Sequence, residues 1–442
     1  MGRIENVLPG NSKRIEKLKA FLIICIVFTS IAPLFFLDTE EPSAYLLIIK
    51  TLAKIGSLSA TVLFFWQFLL GFRGGIPKII HDLVWTINLH KKLGKVACYL
   101  LILHPIFITL YYLLSYDQFV LFPDFDDPFI RFVYVGVAAF VLLIVIFLTS
   151  VWLRKFLSSV QWYVIHLSSY IFLPLGLLHG IQIGSTVRMT PLRYGFLTIS
   201  ALYALLLLYR IIFRLGAYSK EYKVVEVQSV AHNVVEVDLL PVKEELIPRL
   251  GQFIYLRRCC WFGGKPYTVS GYDHRSRMLS VTIKIQSKQK SLASTIAPEE
   301  QVFLDGPYGV FSWKAMSSKR PLVMIAGGIG ITPFIRIIRH LKLYPREAYL
   351  FYGNEKYEDI VYRDELAISD HVTVVNVLHS EPDFRGEKGF ITTSLIKKYT
   401  KQGIHRYEHL LCGPPVMIRT VEKGLLTEGV DREQIHHELF GW

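Results

Sequence analysis

Apolar residues follow two different rhythms along this 442-residue chain. Up to about residue 215 they form long runs; beyond it they come in short bursts broken by Gly, Pro and polar residues. A helix needs about 20 apolar residues to cross the hydrocarbon core of a bilayer. Six runs meet that length, near residues 20–37, 44–71, 86–115, 130–152, 161–183 and 192–214. The second is longer than needed, with Lys50 and Lys54 near its start. The later bursts are strand-sized. Tyr222–Val230, Val234–Leu239, Phe253–Arg257, Leu279–Ile285 and Gln301–Leu304 alternate between turn residues. They predict an antiparallel β-barrel domain, with Asp305–Gly309 as its closing tight turn. From Arg320 the pattern changes again. Strands Pro321–Ala326, Ala348–Gly353, Val372–Leu378 and His409–Cys412 alternate with helical stretches, as in a parallel sheet. The predicted class is a multidomain α+β membrane protein: a six-helix transmembrane domain over 1–217, an antiparallel β-barrel domain over 218–318 and an α/β nucleotide-binding domain over 319–442.

Charge orients the spans. The net charge of +13 would suggest nucleic acid in a soluble protein, but residues 1–217 hold 19 Lys/Arg against 10 Asp/Glu, a surplus of nine, and the rest of the chain holds 30 against 26. The excess sits at helix ends, so nucleic-acid binding is not expected. Arg3, Lys13, Arg14, Lys17 and Lys19 precede the first span; Arg73, Lys78, Lys91, Lys92 and Lys95 lie between the second and third. Arg154 and Lys155 follow the fourth, and Arg210 and Arg214 end the sixth. Opposite loops carry Asp38, Glu40, Glu41, Asp117, Asp124, Asp126 and Asp127; Arg188 and Arg193 run against the pattern. The positive-inside rule then places both termini and the whole second half in the cytoplasm, with the six spans in the plasma membrane. The basic head and first apolar run lack a small-residue cleavage site, which predicts an uncleaved helix. Five cysteines form no metal-ligand spacing.

Four histidines lie inside two spans: His90 and His104 in the third, His166 and His179 in the fifth. Ionisable residues at membrane depth are costly and usually functional. Both spans run in the same direction, and separations of 14 and 13 residues become rises of about 21 and 19.5 Å at 1.5 Å per residue. His90 and His166 therefore share one level, and His104 and His179 another. Two imidazoles at each level suit two bis-histidine b-type haems. A lone histidine of this kind would more often hydrogen-bond a neighbouring helix; four at matched depth favour ligation. Fourteen residues return nearly to one helix face, whereas thirteen fall short, and Pro174 or Gly176 is where the fifth span is expected to kink. Lys91, Lys92 and Lys95 fit haem propionates and snorkelling topology markers equally well.

Two motif sets mark the second half. Lys265-Pro266-Tyr267-Thr268 offers an aromatic face, a hydroxyl and a cation, which suits a flavin, although a strand with an amphipathic Tyr reads the same way. Strand Pro321–Ala326 runs into Gly327-Gly328-Ile329-Gly330-Ile331-Thr332-Pro333, and glycines at a strand-to-helix turn let the backbone approach a pyrophosphate. The last parallel strand opens onto Cys412-Gly413-Pro414-Pro415, and the chain finishes with Glu438-Leu439-Phe440-Gly441-Trp442.

Together these residues resemble the NADPH oxidase and ferric reductase superfamily over nearly the whole chain. The resemblance implies a di-haem membrane domain with metal ligands His90 with His166 and His104 with His179. It implies FAD held by Lys265, Pro266, Tyr267 and Thr268, with Phe440 stacking on the flavin. It further implies NAD(P)H held by Gly327, Gly328, Ile329, Gly330, Thr332, Pro333, Cys412, Gly413, Pro414 and Pro415, with Cys412 and Phe440 at the reacting centre. The expected activity is transfer of electrons from cytoplasmic NAD(P)H through FAD and two haems to a small external acceptor, a ferric chelate or O2, without an obligate protein partner. An electron-supplying subunit that docks an extracytoplasmic redox protein is the alternative. Three departures stand out. The second flavin phosphate motif survives only as Gln286–Ser291; Ile108 replaces a histidine of superoxide-producing relatives; and the loops at Asp38–Pro42 and Gly184–Pro191 are short. The last two tilt the expected acceptor toward ferric chelates.

Overall fold

The computed structural model describes residues 12–37, 40–41, 43–117, 124–258, 264–285 and 295–439. It divides into two compact units, one of Glu16–Ile212 and one built on the chain from Phe213 onward.

The first unit is helical: α1 (Ser12–Ile31), α2 (Ala44–Leu70), α3 (Leu83–Tyr116), α4 (Pro128–Val151), α5 (Ser159–Leu167), α6 (Ser169–Ile183) and α7 (Leu192–Arg214). Among the described residues these supply six candidate membrane spans, with α5 and α6 forming one of them. Large apolar side chains such as Phe21, Ile24, Phe28 and Val141 are exposed. That suits a lipid-facing surface and not a water-facing one. Ends are capped by side chains: Asp82 accepts from Trp85 N at 2.9 Å, and Ser158 with Gln161 forms a capping box at the start of α5.

Small residues set how closely these helices approach. At Gly56 of α2 an added Cβ would lie 2.6 Å from Leu100 O of α3. At Gly136 of α4 it would lie 2.4 Å from His179 Nδ1 of α6. Neither position has room for a methyl group.

The fifth span corrects the sequence reading. It tightens for one residue at Ser168, two residues after His166, and Pro174 lies inside the continuous α6. There Ser168 N donates to Ile165 O at 3.0 Å and its hydroxyl to the same oxygen at 2.7 Å. Pro174 removes the amide that Tyr170 O would have received. Tyr203 of α7 replaces it, its hydroxyl donating to Tyr170 O at 2.8 Å. The proline is thereby accommodated without a break.

The second unit holds a closed antiparallel barrel with strand order β1 (Lys220–Ala231), β2 (Val234–Pro241), β5 (Leu279–Lys284), β4 (Lys265–Tyr272), β3 (Phe253–Arg257) and β6 (Gln301–Tyr308). Its interior is Tyr222, Val237, Leu239, Ile254, Val269, Val281 and Leu304, all buried. Asp305–Gly309 is not the expected turn. β6 continues through it, Tyr255 facing Asp305 and Phe253 facing Tyr308, and a bulge between those pairs absorbs Gly306-Pro307.

The parallel sheet has the order β10 (Glu387–Lys388), β9 (Thr373–Leu378), β8 (Ala348–Asn354), β7 (Leu322–Gly327), β11 (Glu408–Gly413) and β12 (Ile435–Leu439). Helix α8 (Thr332–Leu343) leaves the end of β7, and α9 (Pro415–Thr427) leaves β11. Barrel and sheet are pinned by polar side chains. Arg336 of α8 donates to Pro248 O and Arg249 O, both at 3.0 Å, and Tyr362 OH donates to Glu236 Oε1 at 2.7 Å.

Candidate functional site

In the helical unit α3 and the α5–α6 span bring the four histidines together in pairs. His90 and His166 stand with ring centres 6.2 Å apart, and His104 and His179 with centres 6.1 Å apart. Two imidazoles bound to opposite sides of one metal ion require about that separation: about 2 Å for each metal–nitrogen bond and about 1.1 Å from each nitrogen to its ring centre. A direct histidine–histidine hydrogen bond would draw the rings closer. The donor set therefore fits a bis-histidine metal centre at each level.

The remaining ring nitrogens are already committed. His90 Nδ1 faces Gln67 O at 3.1 Å, His104 Nδ1 faces Ala53 O at 3.2 Å, and His179 Nδ1 faces Phe132 O at 2.8 Å. A carbonyl oxygen only accepts, so the proton sits on Nδ1 and Nε2 keeps the lone pair that a metal needs. His166 differs. Its Nδ1 meets Ser150 Oγ at 3.3 Å, and that hydroxyl also accepts from Trp162 Nε1 at 3.3 Å. The Trp162 ring stacks on His166 at 4.9 Å with planes 24° apart.

The carbonyl and hydroxyl partners were not legible in the sequence, because each lies on another helix; Trp162 lies four residues before His166 on α5. Gly136 was missed too; its lack of a side chain seats the His179 ring against α4. Arg210 is a further omission as a site residue. Its guanidinium lies 4.9 Å from the Tyr170 ring and 5.3 Å from the Phe72 ring, and donates to Gly71 O at 3.3 Å. Gly71 in turn abuts the His90 ring. Cation–π contacts and a carbonyl thus keep a charge beside the His90–His166 level.

In the second unit Lys265, Pro266, Tyr267 and Thr268 open β4, with Lys265 exposed and Thr268 buried. Thr268 Oγ1 is buried and makes no hydrogen bond within the described residues. An orphaned hydroxyl beside an aromatic ring fits a flavin, which would supply the missing partner. Burial pushes the Tyr267 phenol up to about 12, so it stays a neutral, stackable ring. Strand β4 adjoins the nucleotide domain directly, Arg339 of α8 donating to Ser270 O at 3.0 Å.

The two glycine-rich turns of the sheet interlock. Gly328 has φ +54° and starts the turn into α8. A Cβ on Gly330 would lie 2.2 Å from Cys412 O, one on Gly327 would lie 2.7 Å from Pro414 Cδ, and one on Gly413 would lie 2.9 Å from Gly327 N. Gly327, Gly330, Cys412, Gly413 and Pro414 therefore form one surface at the carboxyl ends of adjacent strands. Thr332 and Pro333 begin α8, with Thr332 Oγ1 donating to Ile329 O at 3.1 Å, and Pro415 begins α9. Gly328 and Ile329, half-buried just before α8, are where the backbone could approach a pyrophosphate. Cys412 is fully buried, and burial followed by the Glu438 carboxylate raises its thiol well above the ordinary value. It is a neutral thiol packed in the core and not a thiolate nucleophile. Glu438, its neighbour in the β11–β12 register, is 2 % exposed. Phe440, Gly441, Trp442 and Gln286–Ser291 lie outside the described residues.

Comparison with known proteins agrees with this division. Residues 56–177 match the model of a ferric reductase like transmembrane component, and residues 324–423 match that of an oxidoreductase NAD-binding domain. NADH-cytochrome b5 reductase 1 of Lodderomyces elongisporus is 34% identical over 140 residues, 30% of this chain and 46% of that protein. The enzyme of the same name from Candida glabrata is 26% identical over 232 residues, 48% of this chain and 80% of that one. The chain thus spans less than half of the first relative and four-fifths of the second. Among solved structures, the ferredoxin reductase in carbazole 1,9a-dioxygenase superposes with a TM-score of 0.46 at 25% identity, covering 50% of this chain and 69% of that one.

Proposed function

We propose, for a chain that matches the NADPH oxidase and ferric reductase superfamily through its ferric reductase like transmembrane component and its oxidoreductase NAD-binding domain, that it carries electrons from NAD(P)H across the plasma membrane to a small external acceptor. The observation that carries this reading is the pair of histidine levels, each with rings about 6 Å apart and at least one Nδ1 tied to a backbone carbonyl. A nucleotide-binding module joined to two such levels has the parts of an electron path from a soluble donor into a membrane.

His90 with His166 and His104 with His179 would hold two b-type haems, and Lys265, Pro266, Tyr267 and Thr268 would hold FAD. When bound, FAD supplies conversion of one hydride donor into single electrons and the haems supply one-electron relay within the membrane. The protein's own contribution is placement. Gly327–Pro333 and Cys412–Pro415 set the dinucleotide at the carboxyl ends of β7 and β11, where Cys412 walls the nicotinamide side as a neutral thiol. Phe440 would cover the flavin until the nicotinamide displaces it. Backbone carbonyls from Gln67, Ala53 and Phe132 fix three ligand tautomers. The positive-inside pattern puts the nucleotide module in the cytoplasm. Ile108 places no hydrogen-bond donor beside the His104–His179 level, which disfavours a nascent superoxide anion there. We therefore place ferric chelates ahead of O2 as acceptor.

The test is vectorial. Purified protein in liposomes, with NAD(P)H on the side of the nucleotide module, should contain two haems per chain and reduce a membrane-impermeant ferric chelate on the far side. Superoxide accounting for all NAD(P)H consumed, with no acceleration by ferric chelates, would reverse the choice of acceptor. One haem per chain or none would remove the path itself.

A further inference from the structure

The His90–His166 level has a charge beside it that the proposed electron path leaves unused. Arg210 lies half-buried near the end of α7, and a guanidinium keeps its proton at any physiological pH. Its surroundings are aromatic. The rings of Phe68, Phe72 and Tyr170 face it, with centres 5.5, 5.3 and 4.9 Å away. Its Nη2 donates to Gly71 O at 3.3 Å. Among the described residues no carboxylate pairs with it, and Arg73 adds a second positive charge nearby.

The contacts of this cation lead to both histidines. A Cβ on Gly71 would lie 3.2 Å from His90 Cε1, so Gly71 links the guanidinium to that ring. Tyr170 follows His166 by four residues. Its ring meets Phe68 edge-on at 4.9 Å, and its carbonyl is held by the Tyr203 hydroxyl at 2.8 Å. The charge is thus fixed in place by groups that are themselves fixed. Ring faces and a carbonyl favour a cation without cancelling it, as a carboxylate would.

Adding one electron to a bis-histidine centre lowers its charge by one. A fixed cation nearby stabilises that reduced form, more strongly at membrane depth than it would in water. From this we infer that Arg210 sets the potential of the His90–His166 centre, raising it so that this level draws single electrons from the flavin. The inference rests on the haem ligation proposed above, and the test separates the two.

Redox titration of the full chain, followed by haem absorption, reads the potential without turnover. The background is His104→Ala, in which only the His90–His166 haem is expected to remain. There Arg210→Met should lower the midpoint potential by about 59 mV, a tenfold change in a one-electron equilibrium. Arg210→Lys keeps the charge and should keep most of the potential. The shift should persist at high salt, since a partly buried charge is screened less than an exposed one. Arg210→Gln retains a donor for Gly71 O and gives the same reading if the apolar variant loses haem. An unchanged potential in both neutral variants overturns the inference, as does an equal fall in the Lys variant. Loss of haem from both neutral variants overturns it too, because Arg210 would then be needed to bind haem. A haem count other than one in the His104→Ala background rejects the ligand assignment itself, and the inference falls with it.

Discussion

The two histidine levels are built to the same ring separation by different means. At the His104–His179 level both Nδ1 atoms face backbone carbonyls, of Ala53 and Phe132, and Gly136 lets one ring lie against helix α4. At the His90–His166 level one partner is the carbonyl of Gln67 and the other is the Ser150 hydroxyl, with Trp162 stacked on the ring and Arg210 close by. A backbone acceptor cannot be removed by substitution, but a hydroxyl can. The first level is thus defined by helix packing and the second can be tuned through side chains. The contrast also explains why thirteen residues serve as well as fourteen. The tightened turn at Ser168 lies between His166 and His179.

The largest effects should come from the ligands. His104→Ala should reduce the haem content from two to one while NAD(P)H still reduces the remaining centre. His90→Ala should also leave one haem but cut transfer to an external acceptor at least a hundredfold, since the break lies nearer the donor. Pyridine haemochrome content with anaerobic reduction spectra checks both; two bis-histidine spectra in either variant would reject the ligand assignment. Gly136→Val comes next. Its side chain would occupy space held by the His179 ring, so one haem should be lost from that level only. A variant with both haems intact would show that packing does not define the level.

Ser150→Ala sharpens the contrast from the other side. Removing a hydrogen-bond partner of a metal-ligating histidine typically costs 10–100-fold in metal affinity. Haem loss to an excess of a haem-scavenging protein should therefore quicken by about that factor at the His90–His166 level and be unchanged at the other. The smallest effect should come from Tyr203→Phe, which leaves Tyr170 O unpaired opposite Pro174. A loss of about 1–3 kcal/mol is expected, measurable as a lower Tm at unchanged haem content. A Tm equal to that of the parent would mean that the proline needs no compensation.

Much of this was legible in the chain because its causes are local. Apolar run length gave six spans whose ends agree with the structure within about seven residues, and strand periodicity gave β3 as Phe253–Arg257 outright. The histidine pairing followed from helical rise alone. Strand β4 was read only as a motif, because Lys265, Pro266 and Gly271 mask its alternation. What the tertiary structure decided are contacts between positions far apart in sequence. The acceptors of His90, His104 and His179 lie 23, 51 and 47 residues away, and carbonyls have no sequence signature. Pro174 marked a kink in the sequence, yet α6 runs on through it, and Tyr203, 33 residues from Tyr170, supplies the donor that the proline lacks. Gly330 and Cys412 touch only once two parallel strands are placed side by side. Composition and periodicity report which surface a residue prefers to bury; the partner that satisfies a buried polar atom is settled by packing, since most such atoms find one wherever the fold puts them.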